Sequence, residues 1–187
     1  MKHIVRKLFW DYEKEENWLN EMSAKGMALT DCSWLRYVFE ETQNNQYTYR
    51  IELLKYIPTH PESMAYLKFS EESGVECVAT YMRWVYWRKK TSEGPFDIYT
   101  DIDSKIIHYK RVYSTWKILM FGELVAGLSN LSIGLINLFI GQTLGNFSFG
   151  NIIIGLFLTA LGLLFLRLGQ QISKKIKKLE QEKIIME

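Results

Sequence analysis

The run ILMFGELVAGLSNLSIGLINLFI, from Ile118 to Ile140, decides the architecture of this chain. Its 23 residues make a helix of about 34 Å, long enough to cross the hydrocarbon core of a bilayer. A second apolar run, IIIGLFLTALGLLFLRL from Ile152 to Leu168, reaches a full span when it is extended back to residue 148. Between the two lies Gly141-Gln142-Thr143-Leu144-Gly145-Asn146, uncharged and broken by two glycines, which predicts an antiparallel hairpin. From Ile118 to Leu168 only Glu123 and Arg167 carry full charges.

Outside this block the 187 residues read quite differently. The slightly negative mean hydropathy averages a mixed, charged and aromatic region up to Val112 with the apolar one after it. The net charge of +2 is too small to argue for nucleic acid, and its placement is more telling. Lys110, Arg111 and Lys117 precede the apolar block, and Lys174, Lys175, Lys177 and Lys178 follow it. The positive-inside bias therefore predicts a multi-pass protein of the cell membrane with both termini cytoplasmic. Tyr109, Tyr113 and Trp116 stand where a cytoplasmic aromatic belt belongs, and Phe147 and Phe149 mark the outer side. The segment Met1–Trp10 has no apolar run of signal-peptide length. Cys32 and Cys77 lie far apart, in neither metal nor redox spacing. The organisation is a cytoplasmic domain over 1–112, a transmembrane hairpin over 113–171 with spans at about 118–140 and 148–168, and a basic cytoplasmic tail over 172–187.

The first span carries a seam. Glu123, Gly127, Asn130, Gly134, Asn137 and Gly141 recur at spacings of four and three, which places them on one helical face. Asn151, Gly155, Gly162 and Gly169 answer on the second helix, with Thr159 between. Small residues let backbones approach in lipid, so the seam either packs the hairpin on itself or docks a second copy or a partner membrane protein. If the hairpin folds about Gly145, Glu123 and Arg167 lie at equal depth and would pair; otherwise each snorkels to its own headgroups.

In the cytoplasmic region, His3–Phe9 reads as a strand and Asp11–Lys25 as a helix stopped by Gly26. Trp34–Glu41 and Tyr47–Lys55 read as a hairpin of strands joined by Thr42–Gln46. Pro61 opens a second helix, running to about Ser73 and ended by Gly74; Val75–Arg88 is a long strand-like stretch, broken near Ala79. The order β-α-β-β-α-β predicts an α+β, ferredoxin-like sandwich with both helices on one face of a four-stranded sheet. Its free face would be aromatic, drawn from Trp34, Tyr37, Phe39, Tyr47, Tyr49, Tyr81, Trp84, Tyr86 and Trp87. Tyr37, Phe39, Tyr47, Tyr49, Trp84 and Tyr86 form the candidate face for a ligand or partner. An RNA-binding sheet is disfavoured, since the aromatic ribonucleoprotein motif and a basic surplus are both missing.

Catalytic chemistry finds no foothold. His3, His60 and His108 are scattered, and neither a phosphate loop nor a nucleophile elbow is present. Asp97, Asp101 and Asp103 lack the EF-hand glycine and glutamate and read as caps and turns. Glu13, Glu15, Glu16 and Glu21 read as a solvated helix face. No enzyme activity, metal or cofactor is expected. Asp101 and Ser104 are candidate caps of a helix that runs through Ile106, Ile107 and Tyr109 into the first span and could carry domain movement to the bilayer.

The stretch FWDYEKEENWLNEMSAKG, Phe9 to Gly26, resembles the start of DUF2812, an uncharacterised bacterial family. Phe39, Tyr49-Arg50, Gly74-Val75-Glu76 and Trp84–Lys89 extend the likeness over roughly residues 1–112. Relatives commonly carry tryptophan after each of the two glycines, where this chain has Met27 and Val75. The resemblance implies no catalytic residue. Its relatives are often encoded beside PadR-like transcriptional regulators, which by association implies a regulatory role. The expected function is a non-enzymatic, membrane-anchored sensor or adaptor that binds a regulator or a small apolar ligand. The alternatives are an accessory subunit of a transporter or envelope-stress complex, docking through the hairpin, and, last, a pore built by a homo-oligomer.

Overall fold

The computed structural model describes residues 2–139 and 145–186, so residues 141–144 of the expected turn at 141–146, Gly141 of the seam and the Phe147 side chain lie outside what is described, while Gly145 and Asn146 are helical rather than part of a turn. The chain runs β1 (Lys2–Arg6), α1 (Tyr12–Ala24), β2 (Met27–Ser33), β3 (Arg36–Glu41), β4 (Tyr47–Leu53), α2 (Pro61–Glu72), β5 (Glu76–Tyr81), β6 (Trp84–Lys90), α3 (Ile102–Phe139) and α4 (Gly145–Met186). It divides into two units, 1–104 and 105–187.

The first unit is α+β, with two three-stranded antiparallel sheets ordered β1-β3-β2 and β4-β6-β5. The expected single four-stranded ferredoxin-like sheet is corrected by two strands. Met27–Ser33 is a strand of its own, and the long stretch after Gly74 is two strands turning at Met82 rather than breaking at Ala79. Both were hidden for the same reason. Each hairpin turns on a bulky residue forced to positive φ, Leu35 at 59° and Met82 at 54°, without the glycine or asparagine that usually signals such a turn. A ladder irregularity between Leu29 and Asp31, and another between Cys77 and Ala79, also interrupts the alternation of faces.

These elements spell the same unit twice, β1-α1-β2-β3 followed by β4-α2-β5-β6. Each helix ends at a glycine of positive φ, Gly26 at 75° and Gly74 at 87°. Each second strand then carries its irregularity at the same distance from that glycine. The repetition lies in backbone devices more than in side chains.

The two helices differ in how they are held. Asp11 caps α1, its carboxylate accepting from the Glu13 amide at 3.0 Å, and Glu13 and Glu15 sit in the first turn, where they favour the helix dipole. Leu19, Ser23 and Glu15 face inward. His60 and Pro61 start α2, which buries only Ser63.

Helix α1 belongs to the first half but lies against β2 and β4, so it spans both halves. Strand β4 is an outer strand of its sheet, and its free backbone groups are met by α1 side chains. The Glu16 carboxylate accepts from the Ile51 amide at 2.8 Å. The Asn20 amide accepts from Tyr49 N–H at 2.8 Å and donates to Tyr49 C=O at 3.1 Å. Ser23 Oγ donates to Tyr47 C=O at 2.6 Å and accepts from its N–H at 3.3 Å. Positions 16, 20 and 23 share one helical face, and 51, 49 and 47 share one strand edge, so the helix substitutes for a missing strand. From β6, Arg88 grips Glu76 of β5 at 2.6 and 2.7 Å and donates to Leu29 C=O of β2 at 3.0 Å.

In the second unit α3 and α4 pack antiparallel. Gly127 lies against Gly155 and Thr159, Gly134 against Ser148 and Ile152, and Gly162 against Leu124; a Cβ on any of these glycines would stand within 3 Å of its neighbours. Both helices are long and apolar enough to cross a membrane. At 38 and 42 residues they measure about 57 and 63 Å, roughly twice the hydrocarbon thickness. The surplus is ordered. Residues 172–186, expected as a basic tail, continue α4, bury Ile172 and Ile176, and join α3 through a 2.7 Å ion pair from Lys110 to Glu180.

Candidate functional site

The candidate face of the first unit is a core rather than an open surface. Tyr37, Phe39, Tyr49 and Tyr86 are buried, and Tyr47 and Trp84 are half-buried against them. The physical reason is α1, which covers these strand faces with Leu19 and Trp18. Trp18 meets Tyr37 and Phe39 edge-on, at 4.9 and 5.6 Å, and Phe9 at a tilt, at 5.2 Å. Among the strand aromatics Trp34, at the first hairpin turn, is the bare one, 71% exposed.

Inside this cluster sits a carboxylate. Glu15, read from the sequence as part of a solvated face, is only 8% exposed. Its Oε1 accepts hydrogen bonds from the hydroxyls of both Tyr37 and Tyr86, each at 2.7 Å. Tyr37 stands on β3 in the first half and Tyr86 on β6 in the second, so one oxygen pins the two halves together. Among the described residues no lysine or arginine pairs with Glu15, and its other oxygen makes no hydrogen bond. Burial raises the Glu15 pKa above the ordinary carboxylate range; the hydroxyls of Tyr86 and then Tyr37 oppose that rise. Burial likewise pushes the Cys32 thiol up to about 12 and the Cys77 thiol to about 11, which keeps both protonated and poor nucleophiles.

The rings around Glu15 follow from spacing. On α1, Tyr12 lies three residues before Glu15 and Trp18 three after, on the same helical face. On β6, Trp84 lies two residues before Tyr86, on the same strand face. The ring centroids of Tyr12 and Trp84 stand 5.3 Å apart, next to the Glu15–Tyr86 bond along both elements. Lys7 Nζ sits 4.8 Å from the ring centroids of both Phe9 and Trp18. The signal was present in the sequence as Tyr-x-x-Glu-x-x-Trp-Leu, a lone acid on an otherwise apolar stripe; the acidic run around it concealed the stripe.

A second buried carboxylate, Glu52, accepts from Tyr66 Oη at 2.9 Å and Trp87 Nε1 at 3.1 Å. Among the described residues no group of three or more acidic, histidine or cysteine side chains could hold a metal ion.

The membrane-helix seam is filled by the hairpin itself at Gly127, Gly134, Gly155 and Gly162. Asn130 turns its amide back to Ala126 C=O at 2.8 Å, and Asn137 is half-buried. No ion pair joins Glu123 to Arg167. The packing register explains this: Leu124 faces Gly162, more than a helical turn short of Arg167. The equal-depth expectation took Gly145 as the centre of the turn, and the observed register is offset from it.

Comparison with known proteins gives a family match. A family model described as a protein of unknown function, DUF2812, covers residues 11–121. No curated protein matches this chain, and no solved structure does.

Proposed function

Because this chain belongs to the DUF2812 family of proteins of unknown function, its own geometry must supply the reading, and we propose that it is a non-enzymatic, membrane-anchored sensor. The first unit takes a small apolar ligand between α1 and the two sheets. Helices α3 and α4 anchor it in the bilayer with both termini cytoplasmic, the orientation favoured by the basic flanks. A regulatory protein would read the ligand-bound state.

The observation that supports this is how α1 is attached. It covers an aromatic cluster, yet much of its hold on β4 is side-chain hydrogen bonding from Glu16, Asn20 and Ser23. Once a shift of α1 lets water reach β4, each such bond is exchanged at a net cost of only about 0.5–1.5 kcal/mol, so α1 can move while both ladders stay intact. A ligand that enters under α1 then changes the surface α1 presents. The accessory-subunit reading is weakened, because the small-residue seam it would use packs the hairpin.

The test is Nile red titration of the full chain in lipid nanodiscs, read by dye emission and by hydrogen exchange. Saturable binding of one dye per chain with altered exchange in residues 12–24 is expected. Partitioning no different from empty nanodiscs would overturn the ligand reading. An alkaline carbonate wash checks the anchor: release of the chain into the supernatant would refute it.

A further inference from the structure

We infer that the ligand class of this site is the lipophilic aromatic cation, with Glu15 as its counter-charge; the inference rests on the ligand-binding reading above. The starting point is a carboxylate whose charge the fold does not need. A neutral glutamine at this position could accept the same two hydroxyl bonds from Tyr37 and Tyr86. Burying an ionisable acid instead, with no cation to pair it, is a cost without a structural return. Charge in such a place is useful when something positive arrives.

The surroundings narrow the class. Both tyrosine hydroxyls converge on Oε1, and among the described residues no protein donor meets Oε2. One helical turn before Glu15 on α1 and two residues before Tyr86 on β6, the Tyr12 and Trp84 rings are half-buried and 5.3 Å apart. Aromatic faces attract cations, tryptophan most strongly, and attract them best when the cation is weakly hydrated. Helix α1 already does so once, one turn after Glu15, where Lys7 holds its ammonium over Trp18 and Phe9. A small ammonium ion would lose too much hydration to enter such a cluster, and an anion would meet Glu15. A flat cation with delocalised charge loses little hydration, stacks on Trp84 and Tyr12, and brings its charge to Oε2.

Rhodamine 6G serves as the cationic probe and Nile red as the neutral one, both with the full chain in nanodiscs of zwitterionic lipid. The expected result is saturable rhodamine binding that weakens at least tenfold in Glu15→Gln, while Nile red binding changes less than twofold. Equal rhodamine affinity in wild type and Glu15→Gln overturns the inference. So does saturable Nile red binding without rhodamine binding, which leaves the ligand-binding reading standing. Failure of both dyes removes the two together. If Glu15→Gln fails to fold, Trp84→Leu decides, since its ring is only half-buried: rhodamine affinity should fall at least fivefold, and an unchanged value overturns the inference.

Discussion

Asn20 reaches from α1 to the free edge of β4, and replacing it with alanine removes both of its bonds to Tyr49 at once. Tyr49 is fully buried, so water cannot readily take over. Its carbonyl keeps a partial substitute, the Arg50 guanidinium at 3.0 Å, whereas its N–H has no second acceptor. An unsatisfied buried donor costs about 1–3 kcal/mol, and the weakened carbonyl adds a fraction of that, so Asn20→Ala should destabilise the first unit by about 2–3 kcal/mol. For a domain of this size that lowers the melting temperature by about 10–20 °C. It should also speed Tyr49 amide exchange by roughly 30- to 150-fold, at about 1.4 kcal/mol per factor of ten. The assay is thermal unfolding of the full chain in detergent, followed by near-ultraviolet circular dichroism, with hydrogen exchange resolved around residue 49. A variant that melts within a few degrees of wild type with its Tyr49 amide still protected would refute the claim that α1 side chains stand in for a strand.

Three further outcomes follow from the same geometry. A Cβ at Gly26 would meet Asn44 Oδ1 at 2.7 Å and Thr42 C=O at 2.8 Å besides straining a positive φ, whereas Gly74 has an equally positive φ and open space around it. Gly26→Ala should therefore cost about 3 kcal/mol or more and Gly74→Ala about 1 kcal/mol, and equal losses in denaturant titrations would contradict this. Glu15 binds its proton more readily folded than unfolded, so wild type loses stability as pH rises from the ordinary carboxylate range through the raised value. Glu15→Gln lacks that slope, and the stability difference between the two should shift in favour of glutamine with rising pH; parallel curves would count against a buried acid. Since Glu123 and Arg167 are out of register, Glu123→Arg combined with Arg167→Glu should restore no membrane accumulation that either single reversal loses, and full rescue would show that the two do pair.

The sequence made much of this legible, and its failures have physical causes. Apolar runs beyond eighteen residues announce themselves, so both long helices were foreseen, as were α1, α2 and their stopping glycines. What escaped was short-range: two hairpin turns built on Leu35 and Met82, whose positive φ is imposed by strand pairing rather than favoured by the residue. Missing them merged strands and hid the doubled β-α-β-β plan. The six residues expected on an open face lie in or against the core instead, because burial depends on what covers a strand, and α1 crosses from one half to the other through contacts far apart in sequence. Glu15 was misjudged because composition placed it among solvated acids while its position three residues from both Tyr12 and Trp18 placed it inside. The stretch that carries the resemblance to the family has a mechanical meaning: Trp18 and Leu19 fill the core, Asn20 clasps β4, and Gly26 makes room for the loop at Thr42–Asn44.

The bond from Tyr86 to Glu15 closes a loop of 71 residues. At synthesis rates of about 5–20 residues per second, Glu15 emerges from the ribosome some 4–14 s before its second partner. During that interval the nascent chain carries an acid beside an aromatic core that still lacks β5 and β6. Tyr86 appears shortly before the first apolar span is translated. Completion of the first unit and translation of the first apolar run therefore follow closely on one another.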